Sequence, residues 1–67
     1  MQTYKITFKV NRTAYHLHRY AENREALEAQ LKEFYAREYN GKAETLAIMP
    51  VRWNETRKEF IFDPTGK

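Results

Sequence analysis

The chain contains no cysteine and no serine, a single aspartate (Asp63), two glycines (Gly41 and Gly66) and two prolines (Pro50 and Pro64) among its 67 residues. Each scarcity removes a class of function. Without cysteine there is neither a disulfide nor a thiolate metal site, which fits a reducing compartment and gives a cytoplasmic location as the expectation. Without serine or cysteine, nucleophilic catalysis is left to threonine or lysine, which need an organised base and a pocket. One aspartate, with most of the glutamates destined for the wet face of a helix or for loops, provides no evident carboxylate pair for acid–base work. Two isolated glycines cannot form a phosphate-cradling loop. No apolar run approaches the roughly 18 residues of a membrane span, and no leader pattern precedes the first polar–apolar alternation. The reading is of a non-enzymatic protein with no cofactor, not membrane-bound.

What is present begins with a strand. Tyr4, Ile6, Phe8 and Val10 are apolar and alternate with Thr3, Lys5, Thr7 and Lys9, the period of a half-buried β-strand. A two-residue turn at Asn11-Arg12 pairs Val10 with Thr13, Phe8 with Tyr15 and Ile6 with Leu17, so the apolar faces of both strands coincide. A three-residue loop would bury His16 and His18 and expose Tyr15 and Leu17, which is the poorer solution. The wet face then carries Lys5, Thr7, Lys9, His16, His18 and Tyr20. Asn11-Arg12-Thr13 and Asn54-Glu55-Thr56 match the glycosylation acceptor pattern but are read as turn sequence, given no secretory signal.

A helix follows at about 24–39. Asn23 suits the N-cap and Glu25 the first turn; Leu27, Leu31, Phe34, Tyr35 and either Glu38 or Tyr39 form a stripe; Gly41 ends it after Asn40. Ala26 and Ala29 allow close approach to a sheet. Two further strands are expected at about 44–53 and 58–63, following about 2–10 and 13–20. Pro50 marks an edge or a bulge in the third. The register of the second hairpin stays open: either Leu46, Ile48, Phe60 and Phe62 face inward together, or a one-residue slip puts Met49 and Val51 on the face of Phe60 and Phe62. Both leave more large apolar residues than one face needs.

The fold class is therefore α+β, one small domain over 1–67, a two-layer β-β-α-β-β arrangement. One helix packs on one face of a four-stranded antiparallel sheet, with spatial order 2-1-3-4 as the expectation. His16 and His18 at i, i+2 share a face and could chelate a metal, but they lack a third and fourth ligand, so no metal site is assigned.

The leading functional expectation is a small interaction module that binds a larger protein, an accessory or inhibitor of the general kind found in phages and mobile elements. Met49, Val51, Trp53 and Ile61 are its expected partner-binding anchors. The alternative is nucleic-acid binding by a basic, aromatic sheet face built from Lys5, Lys9, Arg12, His16, His18, Arg19, Arg52, Arg57 and Lys58, consistent with a net charge of +3 and a pI near 9.3. A homodimer through an edge strand is a third reading.

Overall fold

A computed structural model describes residues 1–66. The elements are β1 (Gln2–Val10), β2 (Thr13–Ala21), α1 (Arg24–Tyr39), β3 (Ala43–Asn54) and β4 (Glu59–Phe62). The four strands form one antiparallel sheet in the order β2-β1-β3-β4, as the alternation and the helical crossover led one to expect. Among the described residues no helix is long and apolar enough to cross a membrane.

The first hairpin has the two-residue turn. Val10 pairs with Thr13, Phe8 with Tyr15, Ile6 with Leu17 and Tyr4 with Arg19. Asn11 takes the left-handed backbone (φ 57°) that opens the turn, a conformation asparagine tolerates better than most residues. Tyr4, Ile6 and Phe8 are buried together with Ala21 and with Leu27, Leu31 and Tyr35 of the helix.

The helix starts where its cap chemistry allows. Asn23 Oδ1 accepts from Ala26 N–H at 2.8 Å, and Glu25 sits in the first turn, where the dipole favours an anion. It ends on two successive left-handed residues, Asn40 (φ 54°) and Gly41 (φ 76°), and Gly41 N–H donates to Tyr35 O at 2.9 Å. Of the two alanines expected against the sheet, Ala26 packs on the core while Ala29 faces water. Phe8 is the hub of the interface. Its ring lies 5.5 Å from Tyr15, 6.2 Å from Phe34, 5.4 Å from Tyr35 and 5.7 Å from Tyr39, distances at which aromatic pairs add stabilisation beyond their buried area.

β3 is not a regular strand. It pairs with β1 through Ile48 and Ile6, and through Ala47 and Thr7, but Phe8 then pairs with Thr45, so Leu46 is an extra residue. This bulge changes the phase of the strand. Ala43 and Thr45 lie opposite Val10 and Phe8 on the helix side, and Thr45 Oγ1 shares a 2.7 Å hydrogen bond with the Tyr35 hydroxyl. Beyond the bulge, Met49, Val51 and Trp53 are all on the other side of the sheet. Pro50 sits in a strand that is interior by order, yet β4 pairs only with Val51–Asn54. Pro50 O accepts from Asp63 N–H at 3.0 Å, so its nitrogen faces that same outer edge, and no ladder bond to β1 is lost.

Two outcomes follow. Phe8→Ala removes the hub and should cost about 3–5 kcal/mol, enough to unfold much of so small a domain at 25 °C; urea titration followed by far-UV circular dichroism measures it. Deleting Leu46 restores an unbulged β3 while leaving every other residue on its present face. Its cost should stay near the roughly 0.5 kcal/mol of surface changes that touch no packed contact, as read from the same titration.

Candidate functional site

With the helix covering one face, the side chains available for recognition stand on the other. The pairings Thr3–Tyr20, Lys5–His18 and Thr7–His16 place these on the uncovered face, and Thr3–Val51, Lys5–Met49, Thr7–Ala47 and Lys9–Glu44 extend it onto β3. Val51–Phe62 and Trp53–Phe60 complete it on β4. The face divides into a basic, imidazole-bearing half on β1 and β2 and an aromatic half on β3 and β4.

The halves are brought together by curvature. Rings on β2 and β4 belong to strands roughly 14 Å apart in a flat sheet at ordinary strand spacing. The His18 and Phe60 rings nevertheless stack, 4.4 Å between centroids and 24° from parallel. The sheet therefore curls, and the two side chains lean together across its concave surface. Phe60 also meets Trp53 edge-on at 5.2 Å. Val51, 2% exposed, lies in the floor of this surface, while Trp53 (50%), Phe62 (55%), Phe60 (39%) and Met49 (36%) remain open to solvent.

The hairpin loop fixes Trp53. Its Nε1–H donates to Glu55 Oε2 at 2.8 Å, and Lys58 Nζ donates to Glu55 Oε1 at 2.7 Å. Asn54 Oδ1 accepts from Arg57 N–H at 2.8 Å, and Lys58 closes the turn with φ 57°. The Lys58 ammonium first, and the Trp53 indole second, hold the Glu55 carboxyl below its ordinary value of 4.5. At the other end of β4, hydrogen bonds from Thr65 lower the Asp63 carboxyl in the same way.

The anchors and bases expected from the sequence are only partly gathered here. Met49 and Trp53 are exposed on this face, as expected of anchors. Val51 is buried, so it supports the surface instead of touching a partner. Ile61 pairs with Arg52, facing the helix side, and is half-buried; it leaves the anchor set because the strand alternation turns it away. Phe60 and Phe62 enter in its place. Their signal was the slipped register, which put them beside Met49 and Val51.

The basic set is more scattered. Lys5, His16 and His18 lie on the face, with His16 Nδ1 and Thr7 Oγ1 sharing a 3.0 Å hydrogen bond. Lys9 is also there but has Glu44 at 3.8 Å. Arg57 and Lys58, in the β3–β4 loop, are paired with Glu59 at 3.2 Å and Glu55 at 2.7 Å. Arg12 is in the β1–β2 turn, at the opposite end of the sheet. Arg19 and Arg52 belong to the helix side, and the Arg19 guanidinium lies 5.2 Å above the Phe34 ring. The nine positions therefore do not form one positive surface. Among the described residues no group of three or more histidine, aspartate or glutamate side chains could hold a metal ion.

Acid titration tests the role of Glu55. A carboxyl lowered in the native state contributes stability that is complete above its unfolded value and is lost as pH falls through its native value. Trp53 emission should hold steady from neutrality through pH 4.5 and change only below it. Glu55→Gln should remove that acid step and leave the neutral spectrum altered.

No known protein family, curated protein or solved structure matches the chain, so its functional reading rests on the geometry of this face.

Proposed function

We propose that the chain is a non-enzymatic interaction module that binds a larger protein through the aromatic half of its concave sheet face. Trp53, Phe60, Phe62 and Met49 are the anchors, and Lys5 and His18 form their polar border. The carrying observation is the exposure of these four large apolar side chains side by side on one face. With roughly 200 Å² for a fully exposed aromatic side chain, they present on the order of 400 Å² of apolar surface. That lies within the range at which the largest patch of a monomer is often functional.

Two details favour recognition over accident. Trp53 is held by Glu55 and by the edge of Phe60, so little side-chain entropy remains to be lost when a partner covers it. Tryptophan is among the residue types enriched in the hot spots that dominate interface energetics. The reading as a nucleic-acid binder has weaker support, because Lys9, Arg57 and Lys58 each have a carboxylate beside them and Arg19 and Arg52 lie on the other face. The chain would act as an adaptor or inhibitor by occupying a site on its partner.

The test compares Trp53→Ala and Phe60→Ala with Lys5→Glu. Partners captured by the unmodified chain are purified and titrated by calorimetry. Each aromatic truncation should weaken binding by at least about 30-fold, the equivalent of a 2 kcal/mol hot spot. Labelled oligonucleotides are titrated in parallel at low and physiological salt. Binding that falls steeply with salt, is abolished by Lys5→Glu and is indifferent to Trp53→Ala would replace this reading with nucleic-acid recognition.

A further inference from the structure

The free edges of the sheet are not equivalent. An edge strand offers unpaired N–H and C=O groups to another strand, and proteins blunt that offer with short strands, proline, lysine, bulges or a covering side chain. β4 has four residues and runs straight into the Asp63 turn. The free part of β3 carries the Leu46 bulge, leads into Pro50 and has the Arg24 guanidinium donating to Ile48 O at 3.5 Å. β2 has the least of these devices: a side-chain donor reaches it at one end only, Gln30 Nε2 to Tyr20 O at 3.5 Å. Its nine residues, Thr13–Ala21, include no proline and no lysine and pair with β1 without a bulge.

The register states which backbone groups that edge presents. Val10 and Thr13 flank a two-residue turn and form a hydrogen-bonded pair, so the odd-numbered residues of β2 direct their backbone groups at β1. Ala14, His16, His18 and Tyr20 direct theirs outward. Tyr20 O, which accepts from Gln30 Nε2 at 3.5 Å, confirms the direction.

We propose that a second copy of this chain pairs with β2, antiparallel, about a two-fold axis at Leu17. This is the register that overlaps the whole strand, and it is self-complementary. Leu17 meets the partner's Leu17. His16 faces the partner's His18, and Ala14 faces the partner's Tyr20, in hydrogen-bonded pairs. Arg19 stands opposite the partner's Tyr15. No two like formal charges oppose each other at neutral pH, a condition that a strand richer in lysine or glutamate would fail.

The helix side of the same edge offers a seat for that tyrosine. Arg19, Gln30, Glu33, Phe34 and Arg37 line a groove of about 200 Å³, and Arg19 already lies on the Phe34 ring. Tyr15 is 43% exposed in the single chain. In the two-fold pair it reaches this groove on the other copy, where a phenol can join the Arg19–Phe34 contact. The interface runs along β2 and the helix side and meets the aromatic face only at His18, whose ring stacks on Phe60; Trp53, Phe62 and Met49 take no part in it, so cross-linking through Leu17 reads it separately from partner binding.

The absence of cysteine makes the register directly measurable. In the proposed pair the two Leu17 Cα atoms form a non-hydrogen-bonded pair about 4.5 Å apart, inside the range a disulfide spans. Leu17→Cys alone should oxidise to a covalent dimer at least about tenfold faster than Ala14→Cys alone, because pairing raises the local thiol concentration. The double variant Ala14→Cys/Tyr20→Cys should cross-link as well. Sedimentation equilibrium of the unmodified chain should give twice the monomer mass. His16→Pro, which removes an outward N–H without touching the β1 ladder, should give the monomer with unchanged circular dichroism. A monomer at every concentration up to millimolar overturns the proposal. So does a dimer in which Leu17→Cys cross-links no faster than Ala14→Cys, which would place another surface at the interface.

Discussion

The rest of the molecule depends on the side of β1 that Phe8 occupies. Its ring collects Tyr15 from the neighbouring strand and Phe34, Tyr35 and Tyr39 from the helix, joining hairpin to helix in one contact group. Strand geometry then leaves no freedom for the neighbours of Phe8. Thr7 and Lys9 must face away, with His16 and Glu44 beside them. A one-residue slip at the Asn11-Arg12 turn would exchange the two faces and bring imidazoles under the helix, at the cost of burying polar groups without partners.

The Leu46 bulge is the second constraint. An unbulged β3 with Thr45 on the helix side would put Met49, Val51 and Trp53 there too. The extra residue allows Thr45 to meet Tyr35 on the helix side and Met49, Val51 and Trp53 to line the opposite face. Bulges also bend and twist a strand, and the sheet that carries this one curls far enough for Phe60 to stack on His18. The bulge residue thus sets the phase by which Thr45 faces the helix while Met49, Val51 and Trp53 face the candidate surface.

A 67-residue chain with no cysteine has little stability to spare, which gives its exposed apolar side chains added meaning. Trp53, Phe60, Phe62 and Met49 lie on the same side of the sheet as one buried residue, Val51, and outside the core beneath the helix. A chain selected for its own stability alone would gain by turning such side chains into its core or replacing them with polar ones. Their position on a face whose loop is ordered by the Glu55 contacts is consistent with a surface used in recognition.

The sequence by itself determined the first hairpin, the helix and most of the partition of their residues between core and water (Ala29 and the edge residue Tyr15 are the exceptions, both exposed), because these depend on local periodicity and on a turn two residues long. It carried Met49 and Trp53 to the candidate surface as well. The assignment of Val51 to the floor, of Ile61 to the other face, and of Phe60 and Phe62 to the surface came only with the tertiary structure. So did the dispersal of the basic residues, since Arg19 and Arg52 turn to the helix side and Glu44, Glu55 and Glu59 lie beside their lysine and arginine neighbours. The physical reason is the same in each case. β3 takes its phase from β1, a strand more than thirty residues away in sequence, and from a bulge that interrupts its own alternation, so no local pattern within 43–62 records which way those side chains face.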